Sequence, residues 1–223
     1  MTWRHTPAWI SLGGSWLAFS AGFVNAAGFL QIHANGLTHV TGQVTRAGIA
    51  LAAGEPAGAW SAAVMVLLFF LGAMMSGVLI RKSELATRGY PYGVALLVEA
   101  GLLGGASTLL ITDHPWGANF AVIAAGLQNA LATSYSGAVV RTTHLTGIVT
   151  DLGLIFGHAL RGEEIEWQKL KLLGLLFSSF LAGGVAGASA FPVLGVWVLV
   201  PPTVATTFAA LGFFLLLRRS RPA

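Results

Sequence analysis

Thr38-His39-Val40-Thr41-Gly42 and Thr143-His144-Leu145-Thr146-Gly147 interrupt an otherwise oily chain, and the two interruptions match. Each follows a Gly-x-x-Asn-Ala element, Gly22 to Ala26 in the first case and Gly126 to Ala130 in the second. Asn25 and Asn129 are 104 residues apart and His39 and His144 are 105 apart, so the register barely drifts. Thr45-Arg46 and Gly48 map onto Thr150-Asp151 and Gly153 at the same spacing. In an apolar chain, a repeat of about half the length points to two homologous halves around a shared central site.

Hydrophobic residues make up 55% of the 223, charged residues 9%, and the mean hydropathy is +0.76. A soluble domain carries about a quarter charged residues, so this chain cannot cover a water-facing surface. The expectation is an all-α integral membrane protein, a single transmembrane domain over residues 1–223 with the lipid bilayer as its surroundings. The 29 glycines suit that class, because small residues let membrane helices approach closely. Cysteine is absent, which removes disulfide and thiolate-metal chemistry; no cofactor and no metal site is expected. The first apolar run, Trp9 to about Leu30, is too long for a signal-peptide core and reads as a span. A pI near 10 would suggest nucleic acid in a soluble protein; here no nucleic acid is expected, and the positive charges read as loop anchors on the cytoplasmic face.

Eight apolar segments can be drawn, at about 9–31, 39–54, 57–80, 93–112, 117–137, 144–160, 170–190 and 193–217, with the repeats at approximately 9–112 and 117–217. Tyr90-Pro91 opening one helix resembles Phe191-Pro192 opening another. Two segments are poor spans. Segment 39–54 is about 16 residues, roughly 24 Å as helix, and holds His39, Thr41, Gln43, Thr45 and Arg46. Segment 144–160 holds His144, Thr146, Thr150, Asp151 and His158.

Charge decides how these two cross. If all eight segments span from an inner N-terminus, Arg81, Lys82, Arg88 and Arg141 fall outside. If the two short segments enter and leave on one side, every loop Lys and Arg becomes cytoplasmic and the outer loops carry none. The positive-inside rule selects the second arrangement: six transmembrane helices plus two re-entrant half-helices, N- and C-termini cytoplasmic, in a bacterial inner (cytoplasmic) membrane. Each half then contributes three crossings, so the halves form a 3+3 inverted-topology repeat whose half-helix N-termini meet near the midplane. Non-helical backbone at that depth survives only when buried in protein or lining a water-filled cavity.

Gly-Phe-Val-Asn-Ala with Thr-His-Val-Thr-Gly downstream, then Val140 to Gly147 with Thr150-Asp151-Leu152-Gly153, resembles the YoaK-like family of bacterial inner-membrane proteins over essentially the whole chain. The resemblance implies a multi-pass protein of about this length and carries over no substrate. Its members often have Asp where this chain has Asn25 and Asn where it has Gln43, so an acidic ion site at the first position would not transfer.

Asn25 and Asn129, each one helix ahead of a motif, either tie down a carbonyl freed by the chain break or touch substrate. His39 and His144 stand at the half-helix N-termini, where unpaired N–H groups and the helix dipole favour negative charge; they line the path or pack within it. Thr41 and Thr146 are expected to cap those N-termini, and Gly42 and Gly147 to allow close approach. Gln43 is counted with them among the pathway candidates. Arg46, Asp151, Glu99 and Arg141 are ionisable groups at membrane depth or its edge, functional candidates by default; Asp151 is expected to pair with Arg141 first and Arg46 second, with Glu99 close enough to meet it. Ser134-Tyr135 reads as a polar helix end.

The leading expectation is a small-solute transporter or channel for a small anion, a weak acid or a neutral polar solute, with room for a homo-oligomer. An intramembrane enzyme using His39 or His144 with Asp151, or a membrane scaffold, is the alternative; a nucleophile in convincing context and a metal-ligand cluster are both missing, so no enzyme is expected.

Overall fold

The computed structural model describes residues 8–31, 39–81, 89–135 and 142–219. Among them are eight α-helices, one 3-10 turn at Gly195–Trp197 and no strand. The helices are α1 (Ala8–Gln31), α2 (Val40–Ala52), α3 (Pro56–Leu79), α4 (Tyr90–Ile111), α5 (Trp116–Tyr135), α6 (Leu145–Leu160), α7 (Trp167–Leu194) and α8 (Val200–Arg219). Their boundaries follow local chemistry. Prolines sit in the first turns of α3 and α4, where a missing N–H costs nothing. Phe191-Pro192 does not open a helix as expected: it lies inside the end of α7, which runs on until Gly195 turns the chain at φ +51°.

The same turn closes α2 and α6. Gly54 (φ +71°) and Gly162 (φ +83°) take the left-handed conformation, and the N–H groups of Glu55 and Glu163 donate back to the Ala50 and His158 carbonyls at 2.8 and 3.1 Å. Both are Schellman motifs, which satisfy carbonyls a helix end would otherwise strand. Each tight turn folds the short helix back beside the long one that follows: Ala50 packs against Gly58 of α3, and Ile148 and Ile155 of α6 against Leu172, Leu173 and Leu176 of α7.

The long helices cross at glycines. A Cβ on Gly22 of α1 would run into the Phe180 carbonyl of α7, and one on Gly183 into that of Phe19. Likewise a Cβ on Gly126 of α5 would meet the Phe69 carbonyl of α3, and one on Gly72 that of Ile123. The second pair of contacts is the first displaced by 104 residues (Phe19 to Ile123, Gly22 to Gly126) on one helix and 111 (Phe69 to Phe180, Gly72 to Gly183) on the other. α4 and α8 pack antiparallel, with Gly93 beside Phe214 and Gly104 beside Thr203.

These contacts set directions. The late parts of α1, α4 and α7 gather with the early parts of α3, α5 and α8 at one end, called upper here, around Phe23, Val24, Leu103, Val122 and Leu199. The lower end joins late α3 and α5 to early α4 and late α8 at Ile80, Leu131, Tyr92 and Phe213. Tyr92 there donates its hydroxyl to the Ser134 carbonyl at 3.1 Å.

The protein is small inside and oily outside. Gly72 and Ser76 face the interior of α3, whereas Leu67, Phe70, Met74 and Val78 on its other side are exposed, Val78 by 76%. Val204, Phe208, Leu211 and Leu215 make the same stripe on α8. Exposed apolar stripes of that extent belong in lipid, not water. Trp60, Trp116 and Trp197 near the upper end and Trp167 and Tyr90 near the lower stand out from the surface as an interfacial aromatic belt does. α3, α4, α7 and α8 are long and apolar enough to cross a bilayer. α1 and α5 are less oily because they lie at the centre, where neighbours rather than lipid surround Ala18, Ala21, Ala27, Ala121, Ala124 and Leu127. The fold is that of a multi-pass helical membrane protein.

Candidate functional site

Both repeated motifs open onto one cavity of about 730 Å³. His39, Val40 and Thr41 line it from the start of α2, and His144, Leu145 and Thr146 from the start of α6. Asn129, Ala130, Thr133 and Ser134 contribute one wall from α5; Phe69, Ala73 and Gly77 of α3 and Phe180 of α7 contribute the others. Phe69 and Phe180 each stand near the middle of their helix, so the cavity reaches mid-depth and extends from there toward the lower ends of α3 and α5.

His39 and His144 are the N-cap residues of the two short helices, with nearly the same backbone (φ −88°, ψ 67° and φ −90°, ψ 54°), and neither makes a side-chain capping hydrogen bond. Gln43 N–H donates to the His39 carbonyl and Ile148 N–H to that of His144, which leaves residues 40–42 and 145–147 as the first-turn donors without a helical acceptor. Thr41 and Thr146 therefore do not cap, as was expected of them. They stand inside the first turn, two positions past the cap, and face the cavity instead. Gly147 makes room for its neighbour: a Cβ there would collide with the His144 imidazole. At Gly42 the nearest atom is the His39 Cβ at 3.7 Å, and the His39 ring turns away to meet Phe29 edge-on at 5.3 Å.

Asn129 ties the second motif down. Thr143 donates its hydroxyl to Asn129 Oδ1 at 2.9 Å, bridging α5 to the residue before His144. Asn25 is buried within α1 and Gln43 within α2; neither lines the cavity. Thr38 and Arg141 lie outside the described residues.

The charged candidates separate. Asp151 pairs with Lys169 of α7 at 3.5 Å, the Asp151 side chain 39% and the Lys169 side chain 18% exposed, and this bridge ties α6 to the helix after it. Lys169 was not among the expected partners; the antiparallel return of α6 along α7 brings it alongside. Arg46 projects from the exposed side of α2. Glu99 does not meet Asp151. α4 begins at Tyr90, earlier than the hydropathy pattern suggests, which moves Glu99 toward mid-helix and into the core between α1 and α5. Thr133 and Ser134 were missed as cavity residues, although Thr133 follows Asn129 by one helical turn and Ser134 by five residues, a spacing that was there to be seen.

The lining is polar at the two helix starts and along α5, where Asn129, Thr133 and Ser134 stand, and apolar on the α3 and α7 sides. Among the described residues that line it there are two imidazoles and no carboxylate. Among the described residues no group of three or more His, Cys, Asp or Glu side chains could hold a metal ion.

No curated protein and no solved structure matches the chain. Residues 13–212 match the family described as Protein of unknown function (DUF1275), with which the resemblance to YoaK-like proteins is consistent. The chain belongs to the DUF1275 family of proteins of unknown function.

Proposed function

We propose that this protein is a secondary transporter of the cytoplasmic membrane that carries a small anion, weak acid or neutral polar solute past two converging half-helices. The observation that carries the reading is that the uncapped N-termini of α2 and α6 open onto one cavity of about 730 Å³. Free first-turn N–H groups and the positive ends of two helix dipoles favour anionic or hydrogen-bond-accepting groups and disfavour cations.

Helix direction supports six crossings with two re-entrant segments. α4 packs antiparallel to α8 and to α5, so α5 and α8 run the same way; three full crossings from α5 to α8 would make them opposite. One segment between them turns back, and α6, at about 24 Å, is too short for a hydrocarbon core of roughly 30 Å. The same reasoning applies to α2, which leaves the upper end and returns to it. The paired glycine crossings and the paired Schellman turns then support an inverted repeat. Arg81, Arg161, Lys169, Lys171 and Arg218 all stand at the lower end and the upper turns at 53–55, 112–115 and 195–199 hold no Lys or Arg, which favours a cytoplasmic lower face.

Asymmetry between the halves favours a carrier over an open channel. α4 packs closely on α5, with Gly105 at Phe120 and Gly117 at Leu110. The repeat-related pair, α8 and α1, is held apart by an apolar cavity of about 180 Å³ at Gly13, Trp16 and Leu17. Those three residues are the mates of Gly117, Phe120 and Ala121 at the 104-residue spacing. Exchanging the two packings would close the lower opening and create an upper one, the motion inverted repeats are built for.

The test is uptake into proteoliposomes of a panel of labelled small anions, weak acids and neutral polar solutes. The expected result is saturable uptake of at least one solute, lowered at least tenfold by His39→Ala with His144→Ala while the thermal midpoint is kept. Uptake equal to that of protein-free liposomes across the panel would overturn the proposal.

A further inference from the structure

Glu99 has no use in the cavity described above, yet it is the most completely buried ionisable group of the described residues, 1% exposed. No other Asp or Glu, and no Lys, Arg or His, occurs in α1, α3, α4 or α5. Its Oε2 has no hydrogen-bond partner among the described residues. The carboxyl abuts a small space between α1, α4 and α5, about 10 Å³ for the centre of a water-sized guest, lined by Ala21, Val24, Leu103, Ala124 and Ala125, with Gln128 as the one other polar side chain among the described residues. That is room for about one water molecule.

An ionised carboxylate in such a place is stranded: removing it from water costs several kcal/mol, and no described cation on α1, α4 or α5 offsets this. A metal cation would need about six oxygen ligands, and this wall offers a carboxyl and a single amide. A proton needs only the one oxygen.

We propose that Glu99 is a proton-binding site, enclosed by α1, α4 and α5 where the two halves of the protein meet. Binding converts the carboxylate to a neutral acid whose hydroxyl can donate within the small space to Gln128 or to one water. The site is not duplicated: at the spacing that maps Gly93 onto Thr203, the counterpart of Glu99 on α8 is Ala209. Proton binding here goes beyond the transport reading and stands or falls apart from it, because its readout needs no transported solute.

The experiment uses the full chain purified in lipid nanodiscs and treated with dicyclohexylcarbodiimide, to whose central carbon a protonated carboxyl in apolar surroundings adds, its proton passing to the carbodiimide nitrogen, with peptide mass spectrometry to place the adduct. The expected result is an adduct on Glu99 whose rate falls as the pH is raised and is unchanged by sodium chloride against choline chloride. Infrared difference spectra provide the second reading: a protonated-carboxyl C=O band present in the wild type and lost in Glu99→Gln. Protection by sodium at constant pH would overturn the proposal in favour of a metal-cation site. Absence of both adduct and band at every pH would overturn it outright.

Discussion

Replacing Gly126 by alanine puts a methyl group where the Phe69 carbonyl oxygen already sits. Ordinary contact for a Cβ begins at about 3.4 Å, and the obstacle is backbone, which cannot swing aside. α3 and α5 must part by roughly an ångström along a crossing that small residues keep close, and inserting a methyl into such packing costs about 1–3 kcal/mol. For a chain of this size that is a fall in thermal midpoint on the order of 2–10 °C. The same substitution at Gly22, Gly72 and Gly183 should behave alike, since each faces a carbonyl in the same way. Gly101 and Gly153 are the controls: a Cβ there meets nothing within 4 Å, so alanine should be neutral or gain about 0.5–1 kcal/mol from helix propensity. The assay is thermal unfolding of all six variants in one detergent, followed by size-exclusion with intrinsic fluorescence. A Gly126→Ala midpoint equal to or above that of Gly101→Ala would refute the glycine crossing of α3 and α5.

Thr143→Val removes the 2.9 Å hydrogen bond to Asn129 Oδ1 and should cost about 0.5–1.5 kcal/mol, while Thr143→Ser keeps most of it; a double-mutant cycle with Asn129→Ala should be clearly non-additive by thermal unfolding. Asp151→Asn and Lys169→Gln should each cost no more than about 1 kcal/mol, because both partners are partly exposed, and the double variant should be no worse than either single one; a larger loss for Asp151→Asn alone would point to a further partner. Gly54→Ala and Gly162→Ala place a Cβ at positive φ and should each destabilise by about 1–2 kcal/mol, with asparagine better tolerated than alanine at both, as read from the thermal midpoint.

Helix positions were readable because lipid-facing residues must be apolar for a full bilayer width, a signal strong enough to survive without alignment. The two short polar segments were readable for the converse reason: His39, Arg46, His144 and Asp151 have no business in a lipid-facing span. What the sequence could not convey is where short helices lie once folded back. The Asp151–Lys169 pair joins residues from different sides of a tight turn, and only the return of α6 along α7 makes them neighbours. The capping role expected of Thr41 and Thr146 failed on two residues of register, because the helices begin at Val40 and Leu145 rather than at Gly42 and Gly147. An apolar segment drawn from residue 93 leaves Glu99 about two turns from its start, whereas α4 begins at Tyr90 and carries the carboxyl deeper. The 29 glycines pointed to close helix packing in general, and the pairwise correspondence of Gly72 and Gly183 with Gly126 and Gly22 emerges only when carbonyl contacts are compared.

The central claim is that the two repeated motifs meet in one water-filled cavity inside the membrane. Single cysteines at Thr41 and Thr146, in this cysteine-free chain, can be exposed to a membrane-impermeant thiol reagent from either side of oriented vesicles, with cysteine at the lipid-facing Val149 as the control. The account predicts that positions 41 and 146 both react from the cytoplasmic side, and that position 149 does not. Reaction of the two positions from opposite sides only, or of neither, would contradict it.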